Sequence, residues 1–188
     1  MSTGGRTRRE ALHGGLTIGG AVLGAATVPG LLRASDAFAQ ADGDVAILAG
    51  AVALEQVAVV AYSSAASSGL LDPRTKRVFE RFREQEQEHA DGLGAALEQR
   101  GGRTPKPPSA AQVPGLEKLR SQAEVVDFAI ELETTALAAY YAAVQKLKNP
   151  ALLETGASIM ANEGQHLVVL RRLAGREPVP NAFETGER

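Results

Sequence analysis

Apolar positions recur every three or four residues beyond residue 42, and the pattern is helical nearly everywhere. Signals typical of β-strands are missing from this part of the chain. The pattern predicts four helices, which cover in chain order residues 44–66, 73–100, 122–148 and 150–175. An all-α fold is therefore predicted.

Capping signals mark the starts of three of these helices. Asp72 and Asn149 each precede a proline, which places a side-chain oxygen at the N-cap and the proline at the first helical position. Ser121 and Glu124 have the spacing of a capping box. The sequence itself therefore marks where the last three helices begin.

The links between the helices predict how they pack. Short turns join the first helix to the second and the third to the fourth, so each pair is expected to form an antiparallel hairpin. A helix of about 25 residues is about 38 Å long. The proline-rich link over residues 101–120 is expected to be extended, and at about 3.3 Å per residue it can cross from one end of such a bundle to the other. The predicted fold is a four-helix bundle of two antiparallel hairpins joined by one long crossover.

The first 39 residues have the pattern of an export signal. Arg8 and Arg9 precede a glycine- and alanine-rich apolar run over residues 14–32, and Ala37 to Ala39 form a small-x-small cleavage pattern. This segment resembles a twin-arginine signal, which implies recognition by the twin-arginine export machinery. The alternative is an uncleaved membrane anchor. The chain divides into a signal peptide over 1–39, a bundle over 40–175 and a polar tail over 176–188, and we expect an exported protein of the periplasm, cell envelope or extracellular space.

Composition excludes several classes of function. The chain has no cysteine, so disulfides, thiolate-ligated metal sites and thiol nucleophiles are excluded. Its formal net charge of −2 and aromatic content of 4% give neither the basic surface nor the stacking platform of a nucleic-acid-binding protein. Nucleic acid is therefore not expected as a partner, and any metal must be held by His, Asp or Glu.

The two halves of the chain repeat one motif. Glu55 and Tyr62 in the first helix recur at the same spacing as Glu133 and Tyr140 in the third. The second and fourth helices carry a matching pair, Glu86-x-x-His89 and Glu163-x-x-His166. Chance would place both of these histidines three residues after a glutamate about once in a hundred such sequences. Because residues three apart share one helix face, each Glu and His can reach the same ion.

The four repeated glutamates interrupt apolar, core-facing helix stripes. A buried carboxylate costs several kcal/mol unless it is paired or bound to metal. No Lys or Arg shares these stripes closely enough to neutralise four carboxylates, whereas two divalent ions would contribute four positive charges. Three other glutamates with polar neighbours are left out of the predicted ligand set: Glu84, Glu88 and Glu131.

These motifs resemble the dinuclear metal site of the ferritin-like superfamily, in the rubrerythrin, erythrin and bacterioferritin group. The similarity covers nearly all of residues 44–174, and both residue type and order match twice. The resemblance implies a ferritin-like four-helix bundle. It also implies ligand roles: Glu55 and Glu133 as terminal ligands, Glu86 and Glu163 as bridging ligands, and His89 and His166 as one nitrogen ligand for each metal.

Tyr62 and Tyr140 are interpreted either as hydrogen-bond donors that orient the carboxylates or as packing residues of a bundle core. Carboxylate-rich sites with one imidazole per ion suit iron or manganese. By resemblance the cofactor is two iron ions, and the alternative is two manganese ions. The expected partners are Fe(II), O2 or peroxide, with an external electron donor if one is needed, and the pattern is compatible with a homodimer.

The preferred hypothesis is an exported di-iron oxidoreductase of the ferroxidase or peroxide-reducing type. Two alternatives remain open at this stage. A dimanganese catalase shares the ligand pattern, and a non-catalytic ferritin-like protein of envelope or stress protection could keep the fold alone. A storage cage of the usual kind is not expected, because the tail over 176–188 has no helical stripe for a fifth helix.

Overall fold

Four long helices make up most of the described structure. A computed structural model describes residues 38–186. The helices are α1 Asp44–Ser67, α2 Pro73–Glu98, α3 Gln122–Val144 and α4 Pro150–Leu173. No strand occurs within residues 38–186, so the predicted all-α fold is confirmed.

The helices pack as two hairpins. α1 lies along α2 and α3 lies along α4, while α1 against α3 and α2 against α4 hold the two hairpins together. Buried apolar side chains from all four helices form one continuous core. By length and composition α1 is also apolar enough to cross a membrane, and this composition accords with its place in that core.

Caps fix the starts of the helices much as the sequence predicts. The Asp72 carboxylate accepts the amide hydrogens of Arg74 and Thr75 at the start of α2. The Ser121 hydroxyl accepts the amide hydrogen of Glu124 at 3.3 Å. The Glu124 carboxylate, however, accepts from the Arg120 amide at 2.6 Å, so the reciprocal half of the predicted capping box is wrong.

α3 ends at Val144, four residues before the predicted end. The Asp44 carboxylate, at the start of α1, accepts the amide hydrogens of Lys148 at 2.9 Å and Asn149 at 3.1 Å. Pro150 also disfavours the helical conformation at the residue before it. These contacts draw the chain out of the helix and into the turn that leads to α4.

The crossover between α2 and α3 is mainly extended, as the sequence predicts. It contains two short 3-10 turns, Ala110–Gln112 and Leu116–Lys118, which the proline-rich pattern does not indicate. The Gln56 side chain donates a hydrogen bond to the Pro105 carbonyl at 2.9 Å, and Val113 is buried. The crossover is therefore packed against the bundle.

Most of the predicted leader lies outside the described residues, but its last two residues lie within them. Phe38 is buried, and its ring meets the edge of the Tyr140 ring at 5.1 Å. A Cβ atom on Gly50 would come within 2.9 Å of the Phe38 Cα, so the glycine is what lets this segment approach α1. The packed domain thus includes Phe38.

The described part of the tail, residues 176–186, contains no helix and folds back onto α3 and α4. Glu184 forms an ion pair of 2.7 Å with Arg171. Gly186 has a φ of 71° and lies so close to α3 that an added Cβ would be 2.4 Å from the Thr134 carbonyl oxygen. The tail is polar, as predicted, but part of it is docked.

Candidate metal centre

Six predicted ligands converge at the middle of the bundle. α1 contributes Glu55, α3 contributes Glu133, and the Glu-x-x-His motifs of α2 and α4 contribute the other four residues. The four glutamates and His166 are at most 2% exposed. Potential ligand atoms form two overlapping groups, each within 4.8 Å: Glu55, Glu86, His89 and Glu163; and Glu86, Glu133, Glu163 and His166.

The first group surrounds the Nδ1 atom of His89. This nitrogen lies 3.3 Å from Glu86 Oε2, 3.5 Å from Glu55 Oε2 and 3.6 Å from Glu163 Oε1. Glu55 belongs to this group alone. An ion among these atoms would have one imidazole and three carboxylates within reach.

The second group surrounds the Nδ1 atom of His166. This nitrogen lies 3.0 Å from Glu86 Oε1, 3.3 Å from Glu133 Oε1 and 3.5 Å from Glu163 Oε2. Glu86 and Glu163 therefore each present one oxygen to one histidine and the other oxygen to the other histidine. This arrangement is the one that two bridging carboxylates require, and Glu133 is placed to serve the His166 side alone.

Several polar atoms in this cluster have no hydrogen-bond partner. They are Glu86 Oε1, both oxygens of Glu163, and His166 Nδ1. No Lys or Arg within residues 38–186 forms an ion pair with the four glutamates. Buried polar atoms that lack protein partners and face one another are expected where ligand bonds to cations satisfy them. The residues present therefore fit a pair of divalent ions.

Burial and mutual repulsion control the protonation of the cluster. Burial raises the pKa values of Glu86 and Glu163 well above the usual range, and the nearby carboxylates add to the increase. Burial acts to lower the pKa of His166, but the surrounding carboxylates of Glu133, Glu163 and Glu86 together outweigh it and raise that pKa to about 12. Burial acts to raise the pKa of Glu133, but the charged His166 and the hydrogen bonds from Glu163 and Tyr62 together lower it. Such a cluster holds protons that bound cations would displace.

Two tyrosines support the cluster from opposite helices. Tyr62 of α1 donates its hydroxyl hydrogen to Oε1 of Glu133 in α3, and Tyr140 of α3 donates to Oε1 of Glu55 in α1. Both rings are buried. Each tyrosine therefore orients the carboxylate of the other hairpin, a pairing that the sequence repeat does not specify.

His166 has two further neighbours that the sequence analysis missed. The Phe82 ring stacks on the imidazole with centroids 3.9 Å apart and planes 25° apart. The Gln85 Oε1 atom lies 3.0 Å from His166 Nε2, so it accepts a hydrogen bond when that nitrogen is protonated. The sequence does not indicate a role for Gln85, because its own helical neighbours are polar and its partner is 81 residues away.

His89 lies at the edge of the centre. Its side chain is 15% exposed and lines a cleft of about 370 Å³ between α2 and α4. The glutamates excluded by the sequence analysis stay outside the two groups of ligand atoms. Glu84 is exposed and pairs with Arg81 and Arg83, and Glu88 lies at the mouth of the cleft.

The sequence of residues 43–176 matches the family of the ferritin-like domain. The chain belongs to this ferritin-like family. The match covers all four helices and therefore every residue of the buried Glu/His cluster. A ferritin-like bundle with a cluster of this composition is consistent with a protein of the dimetal type.

A solved structure is similar to this chain in its fold. A conserved hypothetical protein from Mycobacterium tuberculosis superimposes with a TM-score of 0.63 at 20% sequence identity. The similarity covers 81% of this chain and 99% of that one. No functionally curated protein has significant similarity to the sequence.

Proposed function

We propose that the protein binds two iron ions in the buried cluster and acts as an oxidoreductase that oxidises Fe(II) or reduces peroxide. One observation carries the proposal above all others: Glu86 and Glu163 each offer one oxygen to His89 and the other to His166. A site built for two adjacent cations suits a two-electron reaction. Carboxylates with one imidazole per ion favour iron or manganese over zinc or copper.

Two Fe(II) ions held by these residues would supply the two electrons that, with two protons, reduce one peroxide molecule to two water molecules, and both ions would become Fe(III). The protein supplies position and environment. Glu55 and Glu133 each serve one side of the centre, and Tyr140 and Tyr62 hold these two carboxylates in place. Burial keeps bulk water away from five of the six ligands, the four glutamates and His166.

Renewed reduction of the centre must come from another molecule. The chain has no cysteine, so it carries neither an iron–sulfur site nor a thiol pair of its own. Where Fe(II) itself is the substrate, each pair of incoming ions supplies the electrons. Where peroxide is the substrate, an external electron donor has to restore Fe(II) after every turnover.

The proposal is tested by metal loading followed by oxidation. Purified protein titrated with Fe(II) without oxygen is expected to bind about two ions per chain. Peroxide or O2 should then oxidise the bound ions, and the amount of Fe(III) formed, measured by its absorbance, should be proportional to the amount of Fe(II) bound. Glu86→Gln combined with Glu163→Gln should abolish both binding and turnover. Glu84→Gln, which alters an exposed carboxylate on the same helix, is the matched control.

Other outcomes of this experiment would favour the two alternatives. Rapid peroxide disproportionation that needs manganese and no reductant would identify a dimanganese catalase. Protein that folds normally but binds neither metal would contradict the proposal and favour a non-catalytic envelope or stress-protection role. In that case the double Gln variant should retain every property of the wild type except a higher stability, because two buried carboxyl groups whose raised pKa values destabilise the folded state at neutral pH are replaced by neutral amides.

We also propose that the protein acts outside the cytoplasm. Arg8, Arg9 and the apolar run over residues 14–32 support this location. Twin-arginine export carries folded proteins, which suits a bundle that acquires its metal first. Replacement of both arginines by lysine is expected to retain the full-length protein in the cytoplasm, as cell fractionation would show. Wild-type protein in the cytoplasmic fraction would contradict this location, and a variant that is still exported would contradict the twin-arginine route.

A further inference from the structure

The two histidines of the centre differ in their access to solvent. His166 is 1% exposed, with Phe82 stacked on its ring and Gln85 at its Nε2 atom. His89 is 15% exposed and forms part of the wall of the cleft between α2 and α4. The two halves of the repeat thus place the same ligand in a closed setting and in an open one.

Differences between the repeats explain the cleft. The Glu-x-x-His motifs are offset by 77 residues, so Gly92 in α2 corresponds to Val169 in α4. A Cβ atom on Gly92 would meet no other atom within 4 Å. By the same offset Ile159, which lines the cleft, corresponds to Phe82, which covers His166. The centre is open at the cleft lined by Gly92 and Ile159 and closed where the larger Phe82 ring stacks on His166.

The same comparison shows a difference in charge. Glu88 and Glu154 are exposed carboxylates that line the cleft, and no Lys or Arg lines it. Their counterparts in the repeat are Gln165 and Arg77. The approach to His89 is therefore anionic, whereas the corresponding positions on the His166 side are neutral and cationic. An anionic cleft raises the local concentration of cations.

We propose that cations enter and leave the centre through the cleft at His89, so that the ion on the His89 side exchanges with solvent while the ion on the His166 side is retained. This proposal rests on the proposed function only in that the cluster binds two cations. It assigns different roles to two halves that the sequence repeat makes look equivalent. Release from the His166 side requires local opening around Phe82 and Gln85, which costs free energy that release from the His89 side does not.

The test uses Co²⁺ as a probe and a colorimetric chelator in stopped flow, on the full chain without turnover. Protein loaded with Co²⁺ is expected to release it in two phases of equal amplitude, with rates separated by roughly tenfold or more. Gly92→Phe fills the cleft and should slow the fast phase roughly tenfold while the slow phase and the bound amount stay unchanged. Ser158→Phe fills the same cleft from α4 and should reproduce the effect if Gly92→Phe fails to fold.

Two matched controls isolate the cleft. Gly92→Ala removes the glycine without filling the cleft and should leave the fast phase as it is. Val169→Phe places the same aromatic ring at the repeat-equivalent position of α4, where the side chain is already exposed, and should also leave it unchanged. Glu88→Gln with Glu154→Gln should slow Co²⁺ uptake and weaken its dependence on ionic strength.

The results separate this inference from the proposed function. Release of both ions in one phase would overturn the inference while leaving a two-cation centre intact. Equal slowing by Gly92→Phe and Val169→Phe, or slowing by neither cleft-filling variant, would overturn it as well. Failure to bind any Co²⁺ would instead remove the two-cation centre on which the proposed function depends.

Discussion

The hydroxyl of Tyr62 donates a hydrogen bond to Glu133, on the helix opposite its own, and not to Glu55 on its own helix. Tyr140 and Glu55 form the reciprocal pair. Glu55 and Glu133 of the candidate centre are thus held by two hydrogen bonds that cross between the hairpins. Correct orientation of each carboxylate depends on both hairpins being docked.

Loss of one phenol should weaken the site more than the fold. Tyr62→Phe keeps the buried ring and removes the bond to Glu133, so we expect metal affinity to fall roughly tenfold. The free energy of unfolding should fall by only about 1 kcal/mol. Calorimetric titration with Co²⁺ measures the first quantity and urea unfolding the second. Tyr141→Phe, at an exposed position beside Tyr140, should change neither.

We expect Gln85 to act as a positioning residue that orients His166, one of the candidate metal ligands. Gln85→Leu removes the acceptor at Nε2, so the imidazole loses one of the contacts that fix its orientation. Affinity for the more tightly bound ion should fall by about tenfold, with the other ion little affected. Gln85→Asn would not reach as far, whereas Gln85→Glu keeps an acceptor and should restore most of the affinity. Gln87→Leu, on the exposed side of α2, is the control.

Phe38 contributes to the core and not only to the segment before α1. Phe38→Ala should lower the free energy of unfolding by about 3 kcal/mol, because it removes a buried ring and leaves a cavity beside Tyr140. Phe38→Leu should cost less, since most of the volume remains. Phe183→Ala, at a tail position that is 78% exposed, should cost less than about 0.5 kcal/mol. Urea unfolding measures the free energy of unfolding of the three variants. Equal losses for Phe38→Ala and Phe183→Ala would contradict a core role for Phe38.

The N-cap of α2 should make stability depend on acid pH. Hydrogen bonds from Thr75 and Arg74 lower the pKa of Asp72 from 3.8 to about 2. The ionised carboxylate therefore stabilises the folded state above about pH 4, and this contribution disappears as the pH falls towards 2. Asp72→Asn still caps the helix but cannot ionise. Its melting temperature should lie below that of the wild type at pH 6, and the difference should shrink by pH 3; a constant difference would contradict the assignment.

Much of the fold follows from local signals in the sequence. The prolines after Asp72 and Asn149 mark the starts of α2 and α4 correctly, and the crossover lies where the prolines cluster. The end of α3 could not be predicted in this way. It depends on Asp44, which is more than 100 residues away in the chain and reaches the turn only after the hairpins have docked.

The same distinction applies to the centre. The repeat and the helical period select the six Glu and His residues that the structure brings together, because both depend on one helix face at a time. The partners of Tyr62 and Gln85 depend on how one helix is rotated against another, which no single-helix pattern encodes. The repeat places the small Gly92 at the position equivalent to Val169. This difference indicates an open His89 side, but it could be interpreted only once the cleft had been located.

The position of Phe38 would connect the predicted leader cleavage to the candidate metal centre. The predicted cleavage pattern ends at Ala39, and a cut there would remove Phe38 from beside the ring of Tyr140, whose hydroxyl holds Glu55. A cut two residues earlier, after Ala37, would leave Phe38 as the first residue of the mature chain with its place in the core intact. The choice of peptide bond by a signal peptidase would then set how firmly one ligand of the centre is held.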